Sequence, residues 1–370
     1  MKGSLRIVAW CTAGLLWALL TACQRPQTVA FHDADAYPEQ LSGWGVIRKH
    51  NGALALGEGV VAYDINTPLF TDYALKLRTV YLPPGQHAVY DENDSFEFPV
   101  GTIISKTFFY PVEGGVLQPV SSWDGDPASI DLDRYEIIET RLLVRQAHGW
   151  DALPYVWHGD DAYLSITGAL EPRQIALPEG VRSFPYVVPT RNECAGCHAT
   201  NHSSGSLMPI GPKARHLNRP YAGRGENQLT AWSRRGLLEG APPAQSAPRE
   251  ALWNDPQQPL EARARAYLDS NCGHCHNPHG AADTSGLWLD AQTVAFRPRG
   301  FCKPPIAAGR GTGGRSYSVV PGRPDASILL FRMQTDDPGS RMPEAGRSLV
   351  HREGVQLIRD WIQSLDGDCV

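Results

Sequence analysis

The chain has 370 residues, 42% hydrophobic and 20% charged, which excludes a disordered or collagen-like polymer and suits about two or three domains. A formal net charge of −5 excludes a general nucleic-acid binder. The 8 cysteines are too widely spread for a small disulfide scaffold.

At the N-terminus, Lys2 and Arg6 precede an apolar run over residues 7–20. The run is too short and wrongly flanked for a stable membrane span, so residues 1–22 read as a signal peptide. It ends Leu20-Thr21-Ala22-Cys23, which resembles the lipobox of bacterial lipoproteins. The resemblance implies that Cys23 becomes an acylated N-terminus, a lipid anchor on a membrane facing the periplasm or outer surface. The alternative is an ordinary signal peptide with an incidental cysteine. Either way the body enters an oxidising compartment.

Residues 23–38 form a polar tether, and residues 39–190 read as a β-rich domain. Runs of β-branched and aromatic residues at 60–63, 77–82, 102–110, 135–144 and 152–157 alternate with turn signals such as Pro83-Pro84-Gly85 and Glu113-Gly114-Gly115. Short strands at this spacing predict an antiparallel sandwich or barrel. Residues 31–190 carry a net charge of −12 and residues 191–370 a net +4, so the two halves differ in character. A segment over 191–240 includes a predicted helix at 228–238, a linker follows at 241–259, and a mainly α unit fills 260–370. Its first helix is predicted at 260–268 and its last at 352–365, where Val355, Ile358, Trp361, Ile362 and Leu365 share one face. The predicted class is thus α+β and multidomain.

Cys194-Ala195-Gly196-Cys197-His198 and Cys272-Gly273-His274-Cys275-His276 both match C-x-x-C-H, the attachment signature of c-type haem. Two thiols at this spacing reach the two vinyl groups of one haem, and the following histidine faces the iron. His198 and His276 are therefore the expected proximal ligands. A zinc knot would need the two pairs to meet across 74 intervening residues and would compete with thiol oxidation after export. A thioredoxin-like pair needs a strand before a helix, which neither flank supplies.

Residues 260–370 resemble a cytochrome c domain, in which first and last helices cross beside the haem. Arg341-Met342-Pro343 and the stretch from Pro321 to Leu330 carry that likeness, which makes Met342 the expected sixth ligand. Met333, at the end of an apolar run, is expected in the core. For the first motif, Met208, His202 and His216 all follow closely; Met208 is the preferred distal ligand, and an open position is the alternative. Cys302 and Cys369 are an expected disulfide. His274 and His279 read as exposed polar residues, and Arg215, Arg219, Arg310, Arg315 and Arg341 as candidates for haem propionates.

The mature chain also resembles an uncharacterised family of bacterial lipoproteins, through Asn66-Thr67-Pro68-Leu69-Phe70-Thr71-Asp72-Tyr73, Leu153-Pro154-Tyr155-Val156-Trp157 and the first haem motif, among other stretches. That resemblance implies export, covalent haem and association with a β-helix protein, without an established reaction. Phe98-Pro99-Val100-Gly101-Thr102 followed by Lys106 is similar to the β domain of cytochrome P460, which implies a place for Lys106 near the first haem. The expected function is electron transfer by a membrane-tethered cytochrome with one or two covalent haem c groups and their iron, serving an exported redox partner. A haem-dependent oxidoreductase, or a binding module with incidental haem, are the alternatives.

Overall fold

A computed structural model describes residues 26–120, 122–200, 206–306 and 308–369. The expected signal peptide, the anchor cysteine Cys23 and His202 lie outside the described residues.

The N-terminal half is mostly strand. A hairpin of β1 (Ile47–His50) and β2 (Ala53–Leu56) precedes β3 (Val61–Tyr63), β4 (Leu75–Tyr81), β5 (Ala88–Val89), β6 (Ile103–Glu113), β7 (Val116–Leu117), β8 (Tyr135–Gln146), β9 (Gly149–His158), β10 (Asp161–Leu164), β11 (Ala169–Leu177) and β12 (Gly180–Val188). Nine strands form one curled sheet: β10, β9, β8 and β6 pair in turn, β3 and β4 join β6 on its other side, and β7, β11 and β12 extend from its far end. The hairpin of β11 and β12 had no clear signal in the sequence. Its alternation is blurred on both faces: Glu171, Arg173 and Arg182 share the inner face with Ile175, Phe184 and Tyr186, while Leu170, Val181 and Val187 are exposed on the outer one.

Side chains alternate across the central strands, so each face has its own composition. On one face Leu75, Leu77, Ile103, Phe109, Leu142, Val144, Leu153 and Tyr155 enter one apolar core beneath Leu41 and Trp44. The other face is apolar only at its two ends. Val80 and Ile104 join one cluster there, and Phe108, Tyr110, Ile138 and Val156 another. Between these clusters lie Lys76, Arg78, Lys106, Glu139 and Arg141, on β4, β6 and β8.

Helices follow the sheet: α1 (Ala195–His198), α2 (Ala214–Leu217), α3 (Gln228–Arg234), α4 (Leu260–Leu268), α5 (Ile328–Gln334) and α6 (Arg352–Gln363). Helix α3 is shorter than expected because Leu238 leaves it to pair with Ala88, forming β13 (Leu238–Glu239) against β5. Its start is capped by Asn227, whose side-chain oxygen accepts from the Leu229 amide at 2.9 Å. Helices α4, α5 and α6 share a core of Tyr267, Leu268, Leu330, Met333, Leu357, Ile358, Trp361 and Ile362. Gly354 lets α6 approach α4, since a Cβ there would collide with the Tyr267 ring. Cys302 and Cys369 form a disulfide with Cα atoms 5.2 Å apart, tying the C-terminal tail to this helical region.

The stretch expected as a linker, 241–259, keeps Gln245, Arg249, Asn254 and Gln257 exposed and is pinned to the body at several points. Ala247 is buried, the Asn218 side-chain amide donates to the carbonyls of Ala244 and Ala247, and the Glu250 amide donates to Arg215. Residues 66–73 join the sheet to every later segment. Asn66 donates to the Arg215 carbonyl (2.9 Å) and Thr67 to that of Ala251 (2.7 Å), while the Phe70 amide donates to Asn271 (2.8 Å). The buried Asp72 carboxylate accepts from the Ser348 and Leu349 amides at 2.7–2.9 Å, and Phe70 stacks on His351 with centroids 4.2 Å apart.

Candidate functional site

The two C-x-x-C-H motifs fold into the same turn. The His198 amide donates to the Cys194 carbonyl at 2.9 Å, and the His276 amide to that of Cys272 at 2.8 Å. In each case a returning strand of chain then meets the histidine. His198 Nδ1 lies 2.9 Å from the Met208 carbonyl, and His276 Nδ1 lies 3.1 Å from the Leu287 carbonyl. A carbonyl only accepts, so Nδ1 carries the proton in both rings and the Nε2 lone pair is left free. Burial first, with Lys106 adding to it at His198, pushes both histidines down to about 4. Two neutral imidazoles that offer Nε2 are the form a metal requires.

The motifs also meet. Cys197 Sγ, Cys275 Sγ and a His274 ring nitrogen all lie within 4.8 Å of one another. Cys275 Sγ donates to the Gly196 carbonyl at 3.3 Å, and its contact with Cys197 pulls the Cys197 thiol down. The 74 residues that separate the pairs in sequence are therefore no barrier to a shared site. A buried charge cluster fastens the same two segments. Arg215 Nε and Nη2 donate to Asp269 at 2.8 and 3.2 Å, and His216 Nε2 lies 3.4 Å from that carboxylate. Glu250 completes the group, and burial holds it well above the usual carboxylate range.

The surroundings of the two turns differ. Cys194, Cys197 and His198 line a cavity of about 310 Å³, whose wall includes Ile65, Ile104, Leu143 and Ile210 and whose floor is the charged strip of the sheet. Along that floor Tyr63, Arg78, Lys106, Arg141 and Pro154 stand opposite one another on β3, β4, β6, β8 and β9. Glu139 takes Arg141 through two bonds of 2.6 and 2.7 Å and also accepts from Tyr186 at 2.6 Å. Apolar walls, a cationic strip and both thiols on one cavity fit a porphyrin with its carboxylates.

Cys272 instead lies in a wide turn, Asp269–Gly273, that continues α4 into the helical core. With Met342 and Met333 it lines a cavity of only about 20 Å³. Of the donors expected for a second haem only Cys272 and Met342 line it, Cys275 being turned toward Cys197, and the volume does not admit a porphyrin unless the chain around Met342 moves. That chain is held by Arg347, which donates to the carbonyls of Met342, Arg332 and Thr335, each at 3.0 Å.

Met208 stands behind the His198 ring. Its carbonyl holds Nδ1, opposite to the iron-facing Nε2, and it is absent from the cavity wall. This placement argues against the distal role expected for Met208. His216 does line the cavity but is engaged by Asp269, and His274 lines it beside Cys197 instead of standing in solvent. Of the arginines expected near haem, Arg341 reaches the cavity. Arg215 and Arg219 are taken by Asp269 and Asp64, and Arg315 sits over Phe331. Arg78 and Arg141 were not anticipated. Their signal was a charge at a strand position that the alternating pattern directs inward.

No protein-family model, no curated protein and no solved structure matches this chain.

Proposed function

We propose that the chain is an exported, lipid-anchored c-type cytochrome with haem on both motifs, and that it passes electrons to an exported partner. In this reading the curled sheet, a sandwich- or barrel-like unit, houses the first haem, and residues 260–370 are a cytochrome c-like unit that takes the second once the chain around Met342 has moved aside. The observation that carries it is the approach of Cys197 and Cys275, within 4.8 Å through their sulfurs. Thioethers formed at those sulfurs hold two porphyrin edges side by side, and tunnelling rates fall steeply with distance. Bound haem supplies a one-electron iron couple. The chain supplies the rest: four thiols for attachment, two neutral imidazoles fixed through Nδ1, and the Met342 thioether steadied by Arg347.

A second reading is favoured by the cavity before His198, which is large and has no methionine among its lining residues. There the first haem keeps an open position and acts as an oxidoreductase, with the second haem as its electron outlet. Haem is counted by pyridine haemochrome and intact mass after maturation in a cytochrome c assembly host, and resting spectra are then recorded. Two low-spin haems with mutually broadened paramagnetic signals are expected of the carrier. One high-spin haem that binds carbon monoxide or cyanide transfers the assignment to the oxidoreductase. No haem, with one divalent metal per chain, overturns both and assigns Cys197, His274 and Cys275 to the metal.

A further inference from the structure

We propose that Arg78, Lys106 and Arg141 form an anion subsite on the cavity floor, one that takes a carboxylate or a small oxyanion. The strand register sets Arg78 directly opposite Lys106, and Lys106 directly opposite Arg141. Directly paired residues of antiparallel strands project from the same face, and like charges in that arrangement repel. All three line the cavity.

Five carboxylates stand near this row, and among the described residues none of them is paired with Arg78 or Lys106: Glu193, which accepts from the Thr190 amide, and Glu344 line the same cavity without an ion pair to either cation. Glu139 is committed to Arg141 and Tyr186. Asp72 is committed to the amides of Ser348 and Leu349, and Asp64 to Arg219. Arg78 is only 8% exposed, yet its guanidinium has neither a hydrogen bond nor an ion pair among the described residues. Lys106 has none either, and its ammonium only rests 5.4 Å from the centre of the Phe108 ring. Lys76 adds a further cation 5.6 Å from the same ring. A guanidinium that faces only a cavity is costly, because its donors have little water and no protein acceptor. Burial, followed by the charges of Arg141 and Arg78, pushes Lys106 down to about 7, as expected of a row that lacks its counter-ion. An anion with two or more oxygens removes the repulsion and satisfies the free donors, and a planar carboxylate matches the guanidinium fork.

Two sources can present that chemistry: a propionate of haem held at Cys194 and Cys197, or a free oxyanion that enters the cavity. Only the first source rests on the haem reading. The test uses the full matured chain, its Arg78→Gln and Lys106→Gln variants, and Arg78→Lys as the charge-preserving control. Inorganic phosphate and acetate are titrated by calorimetry at constant ionic strength, and the potentials of both haems are recorded. A free-oxyanion site gives saturable binding that weakens at least tenfold in the two Gln variants and is partly restored in Arg78→Lys. A propionate site gives no such binding, but the Gln variants lower the potential of the first haem and leave the second unchanged. The proposal is overturned if the folded variants change neither binding nor the first potential. If the chain carries no haem, the same titration on it still decides: saturable binding lost in Arg78→Gln supports the subsite, and no binding overturns it.

Discussion

At Cys194–His198 the turn lies over a cavity floored by β-strands, whereas at Cys272–His276 the same turn starts from a cluster of helices, against which Cys272 packs. Hydrogen bonding within the turns is nearly identical, down to the carbonyl that receives Nδ1. The turn therefore decides which atoms face a metal, and the walls decide what else can reach it. One wall is cationic and roomy, which suits a ligand or substrate; the other is closed, with Met333 and Met342 beside Asn271, Arg347 and His351.

The largest effect is expected where the two regions are fastened. Burial works against the Asp269 charge, but the His216 hydrogen bond and the Arg215 charge hold the carboxyl well below its ordinary range. Asp269→Asn leaves a buried guanidinium without its counter-ion and should cost about 3–5 kcal/mol in urea unfolding. Because the folded value is depressed, the linked stability is present above the ordinary carboxylate value of about 3.9 and is lost progressively as pH falls from there toward the lower folded value. A parallel acid series should show a shallower loss for Asp269→Asn than for the parent chain. Equal slopes remove Asp269 from the joint.

Opening the disulfide acts on the helical region alone. Replacing Cys302 and Cys369 by serine is expected to lower stability by about 2–4 kcal/mol, read as an earlier unfolding of the second haem's absorbance than of the first's. Simultaneous loss at both haems would mean that the two regions unfold as one. Gly354→Val should force α6 off Tyr267 at a cost of about 1–3 kcal/mol. It should reduce haem loading at Cys272 and Cys275 and spare Cys194 and Cys197, as peptide mass mapping would reveal. Met342→Ala has the smallest effect on folding, about 1 kcal/mol. It should lower the potential of the second haem and turn its spectrum high-spin. An unchanged spectrum removes Met342 as the ligand.

Local pattern explains why some of this was readable before any coordinates. The helix Leu260–Leu268 and the strand core at 103–110 follow from periodicity and from bulky or β-branched residues. The β11 and β12 hairpin is hidden because its inner face carries Glu171, Arg173 and Arg182 while its wet face exposes Leu170, Val181 and Val187, which inverts the expected alternation. Asn66, Phe70 and Asp72 lie in a stretch that the sequence marks only by a family resemblance, and their partners Arg215, Asn271 and Ser348 are all more than a hundred residues away. Arg78 alternates with Val80 and Leu82 on one face of its strand, which directs it inward, but that this face lines a cavity is decided only by the fold.

What the sequence determines by itself is short-range chemistry. Five residues in the order C-x-x-C-H specify the turn, the thiol spacing and the histidine, because all their atoms lie within one helical turn. What only the tertiary structure decides is proximity between distant segments: Cys197 beside Cys275, Arg78 beside Lys106 and Arg141, and Met208 behind its histidine. Those placements depend on strand register and on the buried ion pair between Arg215 and Asp269. Their energies arise from burial and from charges brought together by folding, and such terms leave no periodic trace along the chain.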